Sequence, residues 1–75
     1  MPSDGFPDRL RDARKAAGLT QVELADRVGV HQTRLSQIEG GAATDLEMRW
    51  QLAVALGVDP HRLDERLATT KRRAK

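Results

Sequence analysis

Seventy-five residues allow one small domain, and the absence of cysteine excludes a disulfide framework or a thiolate metal site. The 13 Lys and Arg outnumber the 11 Asp and Glu for a formal net charge of +2, yet Lys71, Arg72, Arg73 and Lys75 supply four of the basic residues. Without those four, nine basic residues face eleven acidic ones, so the body carries −2 and the positive field is either local or comes from residues 69–75, not from the whole surface.

The pattern of apolar and capping residues predicts five helices, and no alternating run suggests a strand. Residues 1–6 read as a loose N-terminus, with Phe6 placed to tuck under the first helix. That helix runs from Pro7 or Asp8 to Ala17, with Leu10, Ala13 and Ala17 inward. Pro7 suits a first helical position and Gly18 a stop. Leu19 is expected to be buried in the link to the second helix. Thr20 and Glu23 form T-x-x-E, a capping box in which each side chain bonds a free backbone N–H. Val22, Leu24, Ala25 and Val28 are the apolar positions of the second helix, and Leu24 and Val28 share a face. Gly29 fits a left-handed helix stop, after which Val30 turns back to the core.

The third helix starts at His31 or Gln32, with Leu35 and Ile38 inward. A fourth spans Leu46 to Leu56, capped by Asp45 or Thr44, with Leu46, Leu52, Ala53 and Leu56 on one inward stripe. Gly57 ends it. Asp59 and Pro60 then open a fifth helix as cap and first residue, with Leu63 and Leu67 inward. Residues 69–75 form a basic tail with two readings, a solubilising end or an arm that contacts phosphates.

The segment Gln21–Gly40 carries the most information. Ala25 sits where two helices would cross steeply, and a larger side chain would push them apart. Gln32, Thr33, Arg34, Ser36 and Gln37 are left on the outer side of the second helix of this pair. That side is rich in amides, hydroxyls and a guanidinium, and poor in carboxylates, which suits base edges and phosphates. Two short helices in this arrangement describe a helix-turn-helix with its second helix in a DNA major groove.

The runs RLRDARKAAGLTQVELADRVGVHQTRLSQIE and LEMRWQLAVALGVDPHRL resemble the Cro/CI-type phage repressors and their bacterial relatives, the XRE-like regulators. The resemblance covers Leu10 to Leu63. It implies an all-α, compact five-helix lambda-repressor-like domain over residues 7–68, with the helix-turn-helix at 21–40, and double-stranded DNA as a partner. It also assigns roles. His31, Gln32 and Thr33 enter the groove first, and Gln37 reaches bases one turn further along. Gln32 matches adenine N6 and N7 by paired hydrogen bonds, and Thr33 either contacts a thymine methyl or accepts one hydrogen bond. Gln21 contacts phosphate from a helix N-terminus and braces Gln32. Arg34 has a phosphate or a guanine as target, and Ser36 the DNA backbone. His31 has the alternative role of helix cap. Arg14 and Glu39 match a partly buried ion pair that ties the first helix to the end of the third.

Three places depart from the family pattern. The loop Gly40-Gly41-Ala42-Ala43-Thr44-Asp45 is short and has no basic side chain. Arg49 stands where leucine is common, and either snorkels at the core edge or reaches a partner. Trp50 and Val54 lie one turn apart on a flank that is polar in many relatives, which is either an interface or packing against the fifth helix or Phe6. The helix 4–5 region is a common dimer surface in the resembling family. Trp50, Val54, Val58, Leu63 and Leu67 are therefore the candidate dimer or partner interface.

Catalysis is not expected. No third group orients Ser36 and His31 into a triad, and His31 and His61 lack metal-ligand spacing. No cofactor and no metal are expected. No apolar run could span a membrane, and MPSDGFPD has no signal-peptide character, so a cytoplasmic, nucleoid-associated location is expected. Two functional classes stay open. One is a sequence-specific regulator, a repressor on a palindromic operator as a homodimer. The other is a protein-interaction module such as an antitoxin that holds a toxin or other regulator, or a restriction-modification controller.

Overall fold

In a computed structural model, residues 5–67 are described, and five α-helices follow one another: α1 Phe6–Ala16, α2 Gln21–Val28, α3 Gln32–Glu39, α4 Leu46–Leu56 and α5 Pro60–Leu63. Every predicted helix is present. The reading of residues 69–75 as a basic tail lies outside the described residues, as does that of residues 1–4. Among the described residues no helix is long and apolar enough to cross a membrane.

Local signals account for the helix ends. The Thr20 hydroxyl accepts the Glu23 N–H at 3.1 Å, and Glu23 accepts the Thr20 N–H at 2.9 Å, closing the capping box. Asp45 caps α4 through the Met48 N–H at 2.9 Å, and Asp59 caps α5 through the His61 N–H at 3.1 Å. Gly29 leaves α2 with φ +89° and Gly57 leaves α4 with φ +75°, left-handed values that cost a residue with a Cβ. At each exit the next residue's N–H turns back on the helix, Val30 to the Ala25 carbonyl and Val58 to the Ala53 carbonyl.

The helices meet around Phe6, Leu10, Leu24, Ala25, Leu35, Ile38, Leu52, Ala53 and Leu63. Ala25 is buried and admits the close approach of α3 and α4 to α2. Leu19, Val28, Val30 and Leu56 pack half-buried at the edge. Several inward assignments need correction. Ala17 is exposed because it lies just beyond the last turn of α1, and Leu46 is 41% exposed because it opens α4 at the rim of the core. Phe6 belongs to α1 and to the core, one residue earlier than the boundary drawn at Pro7.

The fifth helix also differs from expectation. It stops at Leu63, because Asp64 adopts an extended backbone with φ −154° and ψ 117°. The buried Asp64 carboxylate then organises the turn beyond α5. Asp64 accepts the Arg66 backbone N–H at 3.0 Å, the Arg66 guanidinium at 3.0 and 3.2 Å, and Arg49 Nη1 at 2.6 Å. Arg49 also lies 4.4 Å from the centre of the Phe6 ring, a cation–π contact. Of the two roles open to Arg49, the structure shows the core-edge one, joining α1, α4 and the turn after α5. Leu67 remains buried, carried inward by a short helical turn over 65–67.

The Arg66 side-chain hydrogen bonds, with help from its backbone N–H and from Arg49, hold the Asp64 carboxyl well below the usual carboxylate range, against the opposing effect of burial. A depressed folded-state pKa stabilises the fold above the unfolded value of about 3.9, and that contribution fades as pH falls below it. Urea midpoints are therefore expected to hold steady near neutrality and drop below about pH 4. The Asp64→Asn variant should be less stable at neutral pH and show a flatter acid limb. An acid limb as steep as that of the parent would remove Asp64 from this role.

Candidate nucleic-acid interface

A chain of polar contacts runs from the interior to the first turn of α3. Arg14 and Glu39 have side chains only 11% and 4% exposed, and they pair with Arg14 Nε 2.7 Å from Glu39 Oε2. Arg14 Nη2 adds a second bond to Oε1 at 3.1 Å, so the pair is bidentate. The third guanidinium nitrogen donates to the Leu19 carbonyl at 2.9 Å, which fixes the α1–α2 link to the same group. Glu39 Oε1 also accepts from Gln21 Nε2 at 3.1 Å, and Gln21 Oε1 accepts from Gln32 Nε2 at 2.9 Å.

This relay sets the direction of two amides. An ionised carboxylate only accepts, so Gln21 must turn its NH₂ group toward Glu39 and its carbonyl toward Gln32. Gln32 must then donate one N–H to Gln21. Its other N–H and its carbonyl oxygen stay free, which is the donor–acceptor pair that matches adenine N7 and N6. The Gln21–Gln32 brace and the Arg14–Glu39 pair implied by the resemblance are both present in the structure.

The remaining predicted residues separate into two groups. Thr33, Ser36 and Gln37 are exposed on the outer side of α3. His31 and Arg34 are engaged within the chain. His31 caps α3, its Nδ1 accepting the Thr33 N–H at 3.0 Å, which in the neutral ring leaves the proton on Nε2. Arg34 is half-buried and donates to the Ala43 carbonyl at 3.2 Å, bracing the loop between α3 and α4. That loop is also pinned by the Ala42 N–H on the Gln37 carbonyl at 2.8 Å, and Gly41 turns it with φ +110°. Spacing in the sequence shows nothing of the Arg34–Ala43 contact, because its acceptor is a backbone carbonyl on a loop.

The five residues of the predicted partner surface do not form one exposed face. Leu63 and Leu67 are buried, since both turn inward from the last described turns, and they leave that surface as a correction. Val58 is half-buried and lines a cleft with Ala13, Ala16 and Leu56 on the α1 side. Trp50 and Val54 line a different cleft, with Arg27 and Val28 of α2. Trp50 also borders a second hollow, with Leu46, Glu47 and Leu67. Val54 is 60% exposed while Trp50 is half-buried, so the two remain together on one flank.

The profile of a helix-turn-helix family matches residues 10–63. The HTH-type transcriptional regulator for conjugative element R391 from Providencia rettgeri is 41% identical over 54 residues, which cover 72% of this chain and 25% of that protein. The HTH-type transcriptional regulator PrtR from Pseudomonas aeruginosa is 35% identical over 60 residues, or 80% of this chain and 23% of its own. An uncharacterized HTH-type transcriptional regulator from Methanothermobacter thermautotrophicus is 45% identical over 49 residues, or 64% of this chain and 71% of its own. This chain thus spans about a quarter of the length of the first two relatives. The matched span runs from the second turn of α1 to the end of α5 and encloses the whole Glu39–Gln21–Gln32 relay, so the chain belongs to the helix-turn-helix family of the Cro/CI, XRE-like type, a family of DNA-binding transcription regulators and not of enzymes.

Proposed function

We propose that the protein is a sequence-specific DNA-binding transcription regulator, a repressor that holds a palindromic operator as a homodimer with residues 32–39 in the major groove. It acts in the cytoplasm on nucleoid DNA. The observation that carries this reading is the relay from Glu39 through Gln21 to Gln32, which presents one oriented amide at the start of an exposed helix face without carboxylates. Gln21, His31, Gln32, Thr33, Arg34, Ser36 and Gln37 make up the proposed contact set. Within it, Gln32 and Gln37 read bases, Thr33 touches a thymine methyl, and Gln21 and Ser36 hold backbone. His31 and Arg34 contribute mainly by shaping α3 and the loop after it.

A single recognition helix spans only a few base pairs, so two copies with recognition helices about 34 Å apart would read an inverted repeat. Selection of bound sequences from a random duplex library, at two salt concentrations, tests the reading. Enrichment of an inverted repeat is the expected result. Absence of any enriched sequence, with binding abolished at modest salt, would sink it.

The flank of Trp50 and Val54 favours a second reading, in which a protein partner such as a toxin or another regulator covers α4. Trp50→Ala separates the cases by sedimentation and operator binding. Loss of dimer and operator affinity together places the second copy on this flank. An unchanged dimer with unchanged operator binding leaves the flank to a different protein.

A further inference from the structure

One side of α4 carries an apolar ridge. Leu46, Trp50 and Val54 recur at intervals of four and form one row, about 12 Å long at about 1.5 Å per residue. Val54 is 60% exposed, Leu46 is 41% exposed and Trp50 is half-buried. Two hollows border Trp50. One holds Leu46 and Glu47. The other holds Arg27 and Val28 of α2, beside Gln51, Val54 and Ala55. A row of exposed apolar side chains centred on a tryptophan has the make-up of an interface core.

The charges beside the ridge select its occupant. Glu47 stands at the Leu46 end and Arg27 at the Val54 end. Glu47, Gln51 and Ala55 also recur at intervals of four, as a row next to the ridge. Arg27 borders that same row. Acid and base therefore lie on one side of the ridge, at opposite ends. Among the described residues neither of them has an ion-pair partner. A surface arranged in this way is complementary to itself. A twofold axis crossing α4 at Trp50 reverses the ridge and lays Leu46 against Val54 of the second copy. It also brings Glu47 toward Arg27 of the second copy, twice over by symmetry. The same operation leaves α2 of both copies on one side of the α4 pair. Since α3 packs on α2, both recognition helices then lie toward the same duplex, as two half-sites require.

We infer that two copies of this chain pair antiparallel along α4, with Leu46, Trp50 and Val54 as the shared apolar seam and Glu47 of each copy against Arg27 of the other. The inference rests on the homodimer reading above and specifies its contact face. A partner of another sequence has no need for opposite charges balanced about one tryptophan.

Sedimentation equilibrium of the full chain tests the pairing, with Glu47→Arg, Arg27→Glu and both together. Each single reversal sets like charges opposite each other at two places in the dimer, and should raise the dimer dissociation constant about tenfold. The double reversal restores opposite signs and should return the constant to within about threefold of the parent. Damage to folding would instead accumulate in the double variant, because each reversal opposes a helix dipole. Val54→Lys, at an exposed position, should keep the helical circular dichroism spectrum and lose the dimer. The same order of variants is expected for affinity to the selected inverted repeat. A dimer that survives Val54→Lys and both single reversals overturns the inference and leaves the homodimer reading intact on another face. Weakening by each single reversal without recovery in the double variant overturns the antiparallel pairing. A parent that is monomeric both alone and on the selected duplex removes the homodimer reading together with this face, and leaves the ridge to a different protein.

Discussion

Replacing Glu39 with alanine is expected to cost about 3–5 kcal/mol of folding stability, because it leaves the Arg14 guanidinium buried without its counter-charge. The damage spreads further than one pair. Glu39 Oε1 holds both Arg14 and Gln21, and Arg14 in turn holds the Leu19 carbonyl. Removing the carboxylate therefore loosens the α1–α2 link and the end of α3 together. A domain of this size has about 5–15 kcal/mol of stability in all, so the variant should be largely unfolded at moderate urea concentrations. Urea denaturation at neutral pH gives the number. A double variant, Arg14→Met with Glu39→Leu, removes both charges and should recover most of the stability, since a well-packed apolar pair often matches a buried ion pair. Without Glu39 to direct Gln21, the recovered variant should still bind DNA less selectively. Stability within about 1 kcal/mol of the parent for Glu39→Ala would mean that the pair adds no more than an exposed one.

Gln32→Ala is expected to relax the preference at one base position of each half-site and to weaken operator binding by about 1–3 kcal/mol, the usual discrimination of a paired side-chain-to-base contact. The relay makes this more specific than a general decline in affinity. Gln32 has one N–H committed to Gln21 and a second N–H and a carbonyl oxygen free, so a single base type fits its polarity best. Gln21→Ala should therefore blur the same base position, because the Gln32 amide is then free to turn over. The salt slope should hardly change in Gln32→Ala, which removes no phosphate contact. Competition binding against duplexes with each of the four base pairs at that position reads all of this. A uniform weakening across the four would reassign Gln32 to a structural part in the helix-turn-helix.

The two variants act on opposite ends of one connection, which explains why a buried ion pair bears on DNA reading. Arg14 and Glu39 do not reach the outer face. Their effect arrives through a carboxylate that accepts only, an amide that is turned by it, and a second amide turned by the first.

Much of this domain was legible in the chain itself, and the legible parts share a physical cause. The Thr20–Glu23 box, the Asp45 and Asp59 caps and the Gly29 and Gly57 exits act within three or four residues, so spacing alone exposes them. The inward positions of Leu10, Leu24, Leu35, Ile38 and Leu52 arise from helical period in the same way. The Arg14–Glu39 pair is different. It joins residues 25 apart, and family resemblance, not spacing, pointed to it.

The other features were decided by tertiary contacts. Asp64 bonds Arg66 two residues on, a local contact, but its bond to Arg49, 15 residues earlier, has no signature in the spacing. Arg34 turns to a loop carbonyl that has no side-chain signature. Val58 parts from Trp50 and Val54 because the Gly57 turn swings it toward α1. Local sequence determined where each helix begins, ends and hides its apolar side. The packing of the helices decided which charges meet, since ion pairs and backbone acceptors are chosen by proximity in space, which a linear chain does not display.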